Sequence, residues 1–473
     1  MGLMLSSVLM AAAVAAGTAW GQAPEKPAYP PPAPPRDDSQ FGTGIQRTMT
    51  LLATSTPTHR HTVKVLFYGQ SITEQTWWKM VADDLRQRFP NATLLIENRA
   101  IGGFASQVLV KTAEADLYPF YPDLLIFHVY GSHLDYETII ANTRRRTTSE
   151  ILIQTDHITK DEEVAEETDR SKLSPAQWSA WMNHVFLPDV AKKYGAELLD
   201  QRAEWRQYLL DNHLPAAALL KDGVHLNDQG NYLMAESVKP HLRYLPNFPD
   251  AAWRDLVRTY EVGRDVSWQD GKLVLEFEGN RVDVIAGQGN RPGTPARVLI
   301  EGKQPSEFPE LYTFSRSSYY PYTGWPGLMR VSSEKPLLLE EWSARIKDAS
   351  DDLSSFKFEV FGSKTGPDGQ GTNDKRFVSN SGRIVIDPSD WSIARSREFT
   401  GKPMPAGFEV KWKVVPLFVD EYVAPEIKDP TRETVTTLAQ GLSNSRHTLE
   451  IIAGGEGIPP IQALRVYRPP VKS

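Results

Sequence analysis

Apolar positions in the first half of the chain fall into short, nearly unbroken runs separated by stretches of helical spacing. Val63–Tyr68, Thr93–Glu97, Asp123–Val129 and Ile151–Gln154 each read as a strand, and Ala196–Asp200 as a fifth, shorter one. Between the first two, Trp78, Val81, Leu85 and Phe89 recur every three or four residues, the spacing of a buried helix face. Ser174 with Gln177 forms a capping box with Pro175 at the first helical position, which predicts a helix start. A last helical pattern runs from Gln229 to Tyr244. Continuous apolar strands alternating with helices predict an α/β domain over residues 46–246, a doubly wound parallel sheet covered on both faces.

The rhythm changes after Pro246. Leu273, Leu275 and Phe277 alternate with Val274, Glu276 and Glu278, a period of two. Val282–Ile285, Arg297–Ile300, Phe358–Phe361, Arg383–Ile386 and His447–Ile452 follow as short strands between Gly, Pro, Asn and Asp turns. Residues 247–473 therefore read as an all-β sandwich domain.

Both ends of the composition narrow the picture. Leu3–Ala16 is an uncharged apolar run followed by small residues, which reads as a signal peptide over 1–23 and predicts export to a periplasm or beyond. The run is short for a membrane span of ~20 residues, so no anchor is expected in the mature chain. Residues 24–45 are rich in proline and predict an extended, solvated linker. The net charge of −7 and the lack of a long basic stripe argue against a nucleic-acid partner. With no cysteine in 473 residues, disulfides, thiolate catalysis and cysteine metal sites are excluded.

Two runs carry candidate chemistry. Phe67-Tyr68-Gly69-Gln70-Ser71-Ile72-Thr73 ends a strand in a glycine turn and presents a serine where a helix begins. In a doubly wound sheet, ligands sit beyond the carboxyl ends of the strands. Lys221-Asp222-Gly223-Val224-His225-Leu226-Asn227 places an Asp three residues before a His, ahead of the final helix. A serine hydroxyl needs a base to take its proton, and the base needs an orienter. Ser71, His225 and Asp222 can fill these roles, and free N–H groups near Ser71 can face a developing oxyanion.

These residues resemble the SGNH hydrolases, or GDSL-type esterases and lipases. Gly69-Gln70-Ser71 stands for the family's first block, with Gln70 where Asp is usual. Asn98-Arg99-Ala100-Ile101-Gly102-Gly103 resembles the second block and Asp222-Gly223-Val224-His225 the last. The resemblance covers roughly residues 60–245. It implies a serine esterase without cofactor or metal, with Gly103 (or Gly102) as an oxyanion donor beside the Ser71 N–H. In the third block His133 occupies the place of the family's oxyanion Asn, and an imidazole N–H can donate instead.

Two-domain members of the family are often carbohydrate esterases, so the resemblance together with export points to acylated polysaccharide, with acetyl as the acyl group. A lipase or other small-ester hydrolase is the alternative, as is a non-catalytic carbohydrate-binding protein on a decayed hydrolase fold. The sandwich is expected to bind or place the polymer. Tyr319–Trp325 offers rings for stacking on sugars, although a packed loop at a core or interface fits such a segment better. His128, His133, Asp135 and His157 match no strong metal-ligand spacing.

Overall fold

The computed structural model describes residues 29–288, 295–455 and 457–472, so the leader read over 1–23 lies outside the described residues. Five strands, β1 (Thr62–Gly69), β2 (Thr93–Asn98), β3 (Leu124–His128), β4 (Glu150–Gln154) and β5 (Glu197–Leu199), form one parallel sheet in the order β2-β1-β3-β4-β5. Each coincides with a strand expected from the apolar runs. The helices are α1 (Gln46–Ala53), α2 (Ser71–Glu74), α3 (Trp77–Arg88), α4 (Ser106–Asp116), α5 (His133–Arg146), α6 (Trp178–Trp181), α7 (Leu187–Tyr194), α8 (Gln201–Asp211) and α9 (Asp228–Val238).

Strand residues alternate between two cores, as a period of two requires. Val65, Phe67, Ile126 and Leu152 pack with Trp77, Leu85, Trp205 and Leu233 from α3, α8 and α9. Leu66, Tyr68, Leu125 and Phe127 pack on the other face with Leu109, Tyr136, Ile140 and Val190 from α4, α5 and α7. The layer on each face explains why the strands read as continuous apolar runs. In α3 the fully buried tryptophan is Trp77, and Trp78 packs only at the edge of that core. The capping box forms: the Ser174 N–H donates to Gln177 Oε1 at 3.1 Å, opening a short tight turn that runs on into α6.

The remaining strands are antiparallel. They are β6 (Val257–Glu261), β7 (Lys272–Ala286), β8 (Ala296–Ile300), β9 (Tyr312–Phe314), β10 (Glu341–Lys347), β11 (Lys357–Gly362), β12 (Gly366–Thr372), β13 (Phe377–Val378), β14 (Val385–Ile386), β15 (Glu409–Pro416), β16 (Glu421–Tyr422), β17 (Val435–Ala453) and β18 (Ile461–Tyr467), with one helix, α10 (Ile393–Thr400). A six-stranded sheet runs β16-β8-β17-β7-β18-β6, and a five-stranded sheet β12-β11-β10-β15-β9 is built from the chain between its halves. Their apolar residues form two cores, one around Leu275, Val284 and Leu449, the other around Trp342, Phe358 and Val410. Two segments expected as separate strands, Leu273–Phe277 and Val282–Ile285, are one strand, β7. Of Arg383–Ile386 only Val385–Ile386 is strand.

The β-rich half is fastened to the α/β half at many points. Arg316 pairs with buried Asp116 at 2.7 Å, and Lys111 with buried Asp390 at 2.9 Å. Asn280 Nδ2 donates to the Arg146 carbonyl at 2.8 Å, and the Arg60 N–H to the Thr431 carbonyl at 2.7 Å. Trp325 belongs to the core of the α/β half. The proline-rich stretch is also not a free spacer throughout. Tyr208 donates to the Pro30 carbonyl at 3.0 Å, Phe41 stacks on His241, and the Gly42 and Gly44 N–H groups donate to Glu197. Among the described residues, no helix is long and apolar enough to cross a membrane.

Candidate active site

Ser71 follows β1 directly. Gly69 is required there, because a Cβ at this position would lie 2.1 Å from the His128 carbonyl oxygen. The chain therefore crosses tightly over the end of β3 and turns into α2, with Ser71 as its first residue. Asp222 and His225 lie on the loop before α9, whose first turn is capped by Asn227 accepting from the Gly230 N–H at 3.0 Å.

The three side chains expected from sequence are brought into one hydrogen-bonded line. Ser71 Oγ is 2.9 Å from His225 Nε2, and His225 Nδ1 is 2.9 Å from Asp222 Oδ2. Asp222 Oδ1 also accepts from the His225 and Val224 N–H groups, at 2.7 and 2.9 Å. These backbone donors, the His225 N–H first, hold the Asp222 carboxyl down to about 2, so it stays ionised. An ionised Asp222 accepts Nδ1–H and leaves Nε2 as the bare lone pair facing the serine hydroxyl. This is the arrangement in which an imidazole can remove the serine proton.

The serine turn and the histidine loop are tied together by a residue that sequence reasoning passed over. Gln75 donates from Nε2 to the Leu226 carbonyl at 2.8 Å and accepts from the Leu226 N–H at 3.0 Å. This two-point clamp acts one residue beyond His225. A second support comes from beneath. Fully buried His157, just past β4, places Nε2 2.9 Å from the Val224 carbonyl and Nδ1 2.9 Å from the Tyr130 hydroxyl.

The glycine loop of the second block closes the other side. The Gly102 N–H donates to Glu74 Oε1 at 2.8 Å and is thereby used. The N–H groups of Ser71 and Gly103 have no hydrogen-bond partner among the described residues. Both residues line the same cleft, so Gly103 rather than Gly102 has a donor free for an oxyanion. Asn98 braces this loop, accepting from the Ala100 N–H and donating to the Thr73 carbonyl.

His133, expected from sequence as an oxyanion donor, is placed apart from the triad's cleft. It does not line the cleft that Ser71 and His225 share. The chain enters α5 at this residue, and the ring sits among Trp178, Trp181 and Phe186 with centroids 5.1 to 5.5 Å away. Aromatic packing explains the histidine without an oxyanion role.

The cleft, about 1060 Å³, is built by both halves of the chain. Trp325 donates from Nε1 to the Gly102 carbonyl at 2.7 Å. Gly103 has φ +77°, and a Cβ there would lie 2.9 Å from the Trp325 ring, so the glycine is required twice over. Arg395 donates to the Gly103 carbonyl at 2.7 Å and lies over the Trp325 ring. Phe399 packs on Trp325 and remains largely exposed, and Tyr319 and Arg316 continue the wall. Of the Tyr319–Trp325 segment, then, the tryptophan is an interface residue that also forms cleft wall.

A separate group, His59, His61 and Glu433, has donor atoms within 4.8 Å of one another. Both Glu433 oxygens already accept from the Arg465 guanidinium at 2.7 and 2.8 Å, and this adjacent positive charge disfavours a cation there.

Neither a family model nor a curated protein matches the chain. Among solved structures it is similar to a two-domain esterase (CEX) active on acetylated mannans, with 13% identity over 90% of this chain and 95% of that one and a TM-score of 0.34. It is similar also to Axe2, an acetylxylan esterase from Geobacillus stearothermophilus, with 18% identity over 40% of this chain and 98% of that one, TM-score 0.33. LAE5, an alpha/beta hydrolase enzyme from the metagenome of Lake Arreo, Spain, aligns at 17% identity over 40% and 98%, TM-score 0.32. Likenesses this loose carry no inference about reaction or substrate.

Proposed function

We propose that the protein is a serine ester hydrolase of the SGNH type. Ser71 is the nucleophile, His225 the general base and then acid, Asp222 its orienter, and the Ser71 and Gly103 N–H groups form the oxyanion hole. The observation that carries this reading is the unbroken Ser71–His225–Asp222 line, with 2.9 Å at each step, opening onto a large cleft. In this reading His225 takes the Ser71 proton as Oγ attacks the ester carbonyl, and the tetrahedral oxyanion is met by the two N–H groups. The alcohol leaves with the proton from His225. Water then attacks the acyl-serine by the same route, with no cofactor.

The substrate we propose is an acylated, most simply acetylated, polysaccharide met outside the cell. Three features support it. The apolar leader supports export, the cleft is wide and open to solvent, and its walls mix aromatic rings with charged and hydroxyl groups. The last combination suits a sugar better than an acyl chain. The test is acetate release from a panel of acetylated polysaccharides by the parent and by Ser71→Ala. Release by the parent alone supports the reading; equal release by both removes Ser71 as nucleophile.

A further inference from the structure

The loop that carries Asp222 and His225 is exposed from Lys221 to Val224. Asp222 is 50% exposed at its side chain and Val224 45%. Its internal bonds, such as the Lys221 N–H to the His225 carbonyl at 2.8 Å, fix its shape but not its place. Place must come from bonds to the rigid sheet and its flanking helices. Gln75 supplies one at Leu226, beyond the loop, and His157 supplies another at its tip.

His157 is built for that task. It follows β4, is 1% exposed, and packs against the Trp205 ring with centroids 5.3 Å apart. A carbonyl can only accept, so Nε2 facing the Val224 oxygen carries the hydrogen. Nδ1 is then the bare lone pair, and the Tyr130 hydroxyl at 2.9 Å donates to it. Tyr130 lies just past β3, so two adjacent strand ends hold the imidazole in one tautomer. Burial keeps it neutral, pushing its pKa down to about 4.

We propose that His157, oriented by Tyr130, is a positioning residue that holds the Val224 carbonyl and through it the alignment of Asp222 and His225 with Ser71. This rests on the hydrolase reading above. The reacting atoms never touch His157. Its effect arises because a displacement of about 1 Å between reacting groups costs on the order of 10²-fold in rate.

The experiment is steady-state hydrolysis of an aryl acetate by the full chain carrying His157→Phe, His157→Gln or Tyr130→Phe, with Ser71→Ala alongside. Melting temperature is recorded for each. His157→Phe keeps the ring but loses the donor; kcat should fall roughly 10- to 100-fold with KM nearly unchanged. His157→Gln can still donate to the carbonyl and should recover part of the loss. In a His225→Gln background, His157→Phe should cost little more, because groups that act as a unit are not additive. A His157→Phe rate within about twofold of the parent, a His157→Gln no better than Phe, or full additivity would overturn the proposal. If His157→Phe fails to fold, His157→Gln and Tyr130→Phe decide, since parent-like kcat in both would overturn it and a kcat loss at unchanged melting temperature would support it. Full turnover by Ser71→Ala would instead sink the hydrolase reading itself.

Discussion

At the scale of single residues, the proposed chemistry depends on which groups are free and which are engaged. Asp222 is held near 2 by two backbone donors, so it is ionised at any working pH. Its depressed value means that its contribution is complete above the ordinary carboxylate range and is lost only as pH falls through about 2. His225→Gln should remove most of the rate, and parent-like turnover in that variant would assign the base elsewhere. His133, packed among three aromatic rings, makes the opposite prediction. His133→Ala should lower the melting temperature and leave kcat within about threefold, whereas an oxyanion donor would cost 10²-fold or more. Gly103→Ala adds a Cβ 2.9 Å from Trp325 at φ +77°, and should cut kcat more than it raises KM. Equal kcat in parent and variant would show that this loop has no part in the transition state.

At the scale of elements, the parallel sheet was legible because strands buried on both faces leave apolar runs that little else produces. The proposed triad of Ser71, His225 and Asp222 could be named from sequence because each of its two halves is local: a strand-end glycine turn, and an Asp and His three apart. Residues that act across the fold left no such trace. Gln75 and His157 lie 151 and 67 positions from the groups they bond, and no spacing rule connects them; the aromatic segment marked Trp325 as an interface candidate, but not its bond to a carbonyl 223 positions away. The undivided β7 was missed for a related reason. Glu278-Gly279-Asn280-Arg281 has the composition of a turn, yet it continues the strand. Asn280 bonds Tyr121 and the Arg146 carbonyl, and Arg281 pairs with buried Asp283, so polar residues are spent inside an interface. Elsewhere Arg316, Tyr319, Trp325 and Phe399 of the β-rich half line the cleft that holds Ser71 and His225, which makes this half part of the proposed active site rather than a tethered binder. Trp325→Phe keeps the ring but loses the bond to the Gly102 carbonyl, and should lower kcat on aryl acetate by about 10-fold if the N–H holds the oxyanion loop. A chain ending near Pro246 should lose small-ester and polysaccharide activity together. Retention of small-ester activity would restore the separate-module view.

At the scale of the whole molecule, buried ionisable groups link stability to pH. His128 and His157 are buried neutral, with values pushed by desolvation to about 3 and about 4 from 6.5. The unfolded chain binds more protons than the folded one between those values and 6.5, so stability falls as pH drops through that window. Buried Asp156, raised by desolvation to about 7, has the opposite sign, its contribution being lost as pH rises through that value. Asp116, Glu150 and Glu204, also raised by desolvation, act in the same direction as Asp156, so the His128 part is read as the difference between parent and variant. His128→Gln should flatten the decline in melting temperature between pH 6.5 and 4, and identical slopes in parent and variant would show that His128 is not the source.

The central claim, that Ser71 is a nucleophile activated by His225 in a cleft made by both halves of the chain, is tested most directly by covalent capture. The full chain is treated with a fluorophosphonate and the labelled peptide is mapped by mass spectrometry. One adduct on Ser71, absent in His225→Gln and slowed by an acetylated oligosaccharide, is the result predicted. No adduct, or an adduct on another residue at the same rate in both proteins, would contradict it.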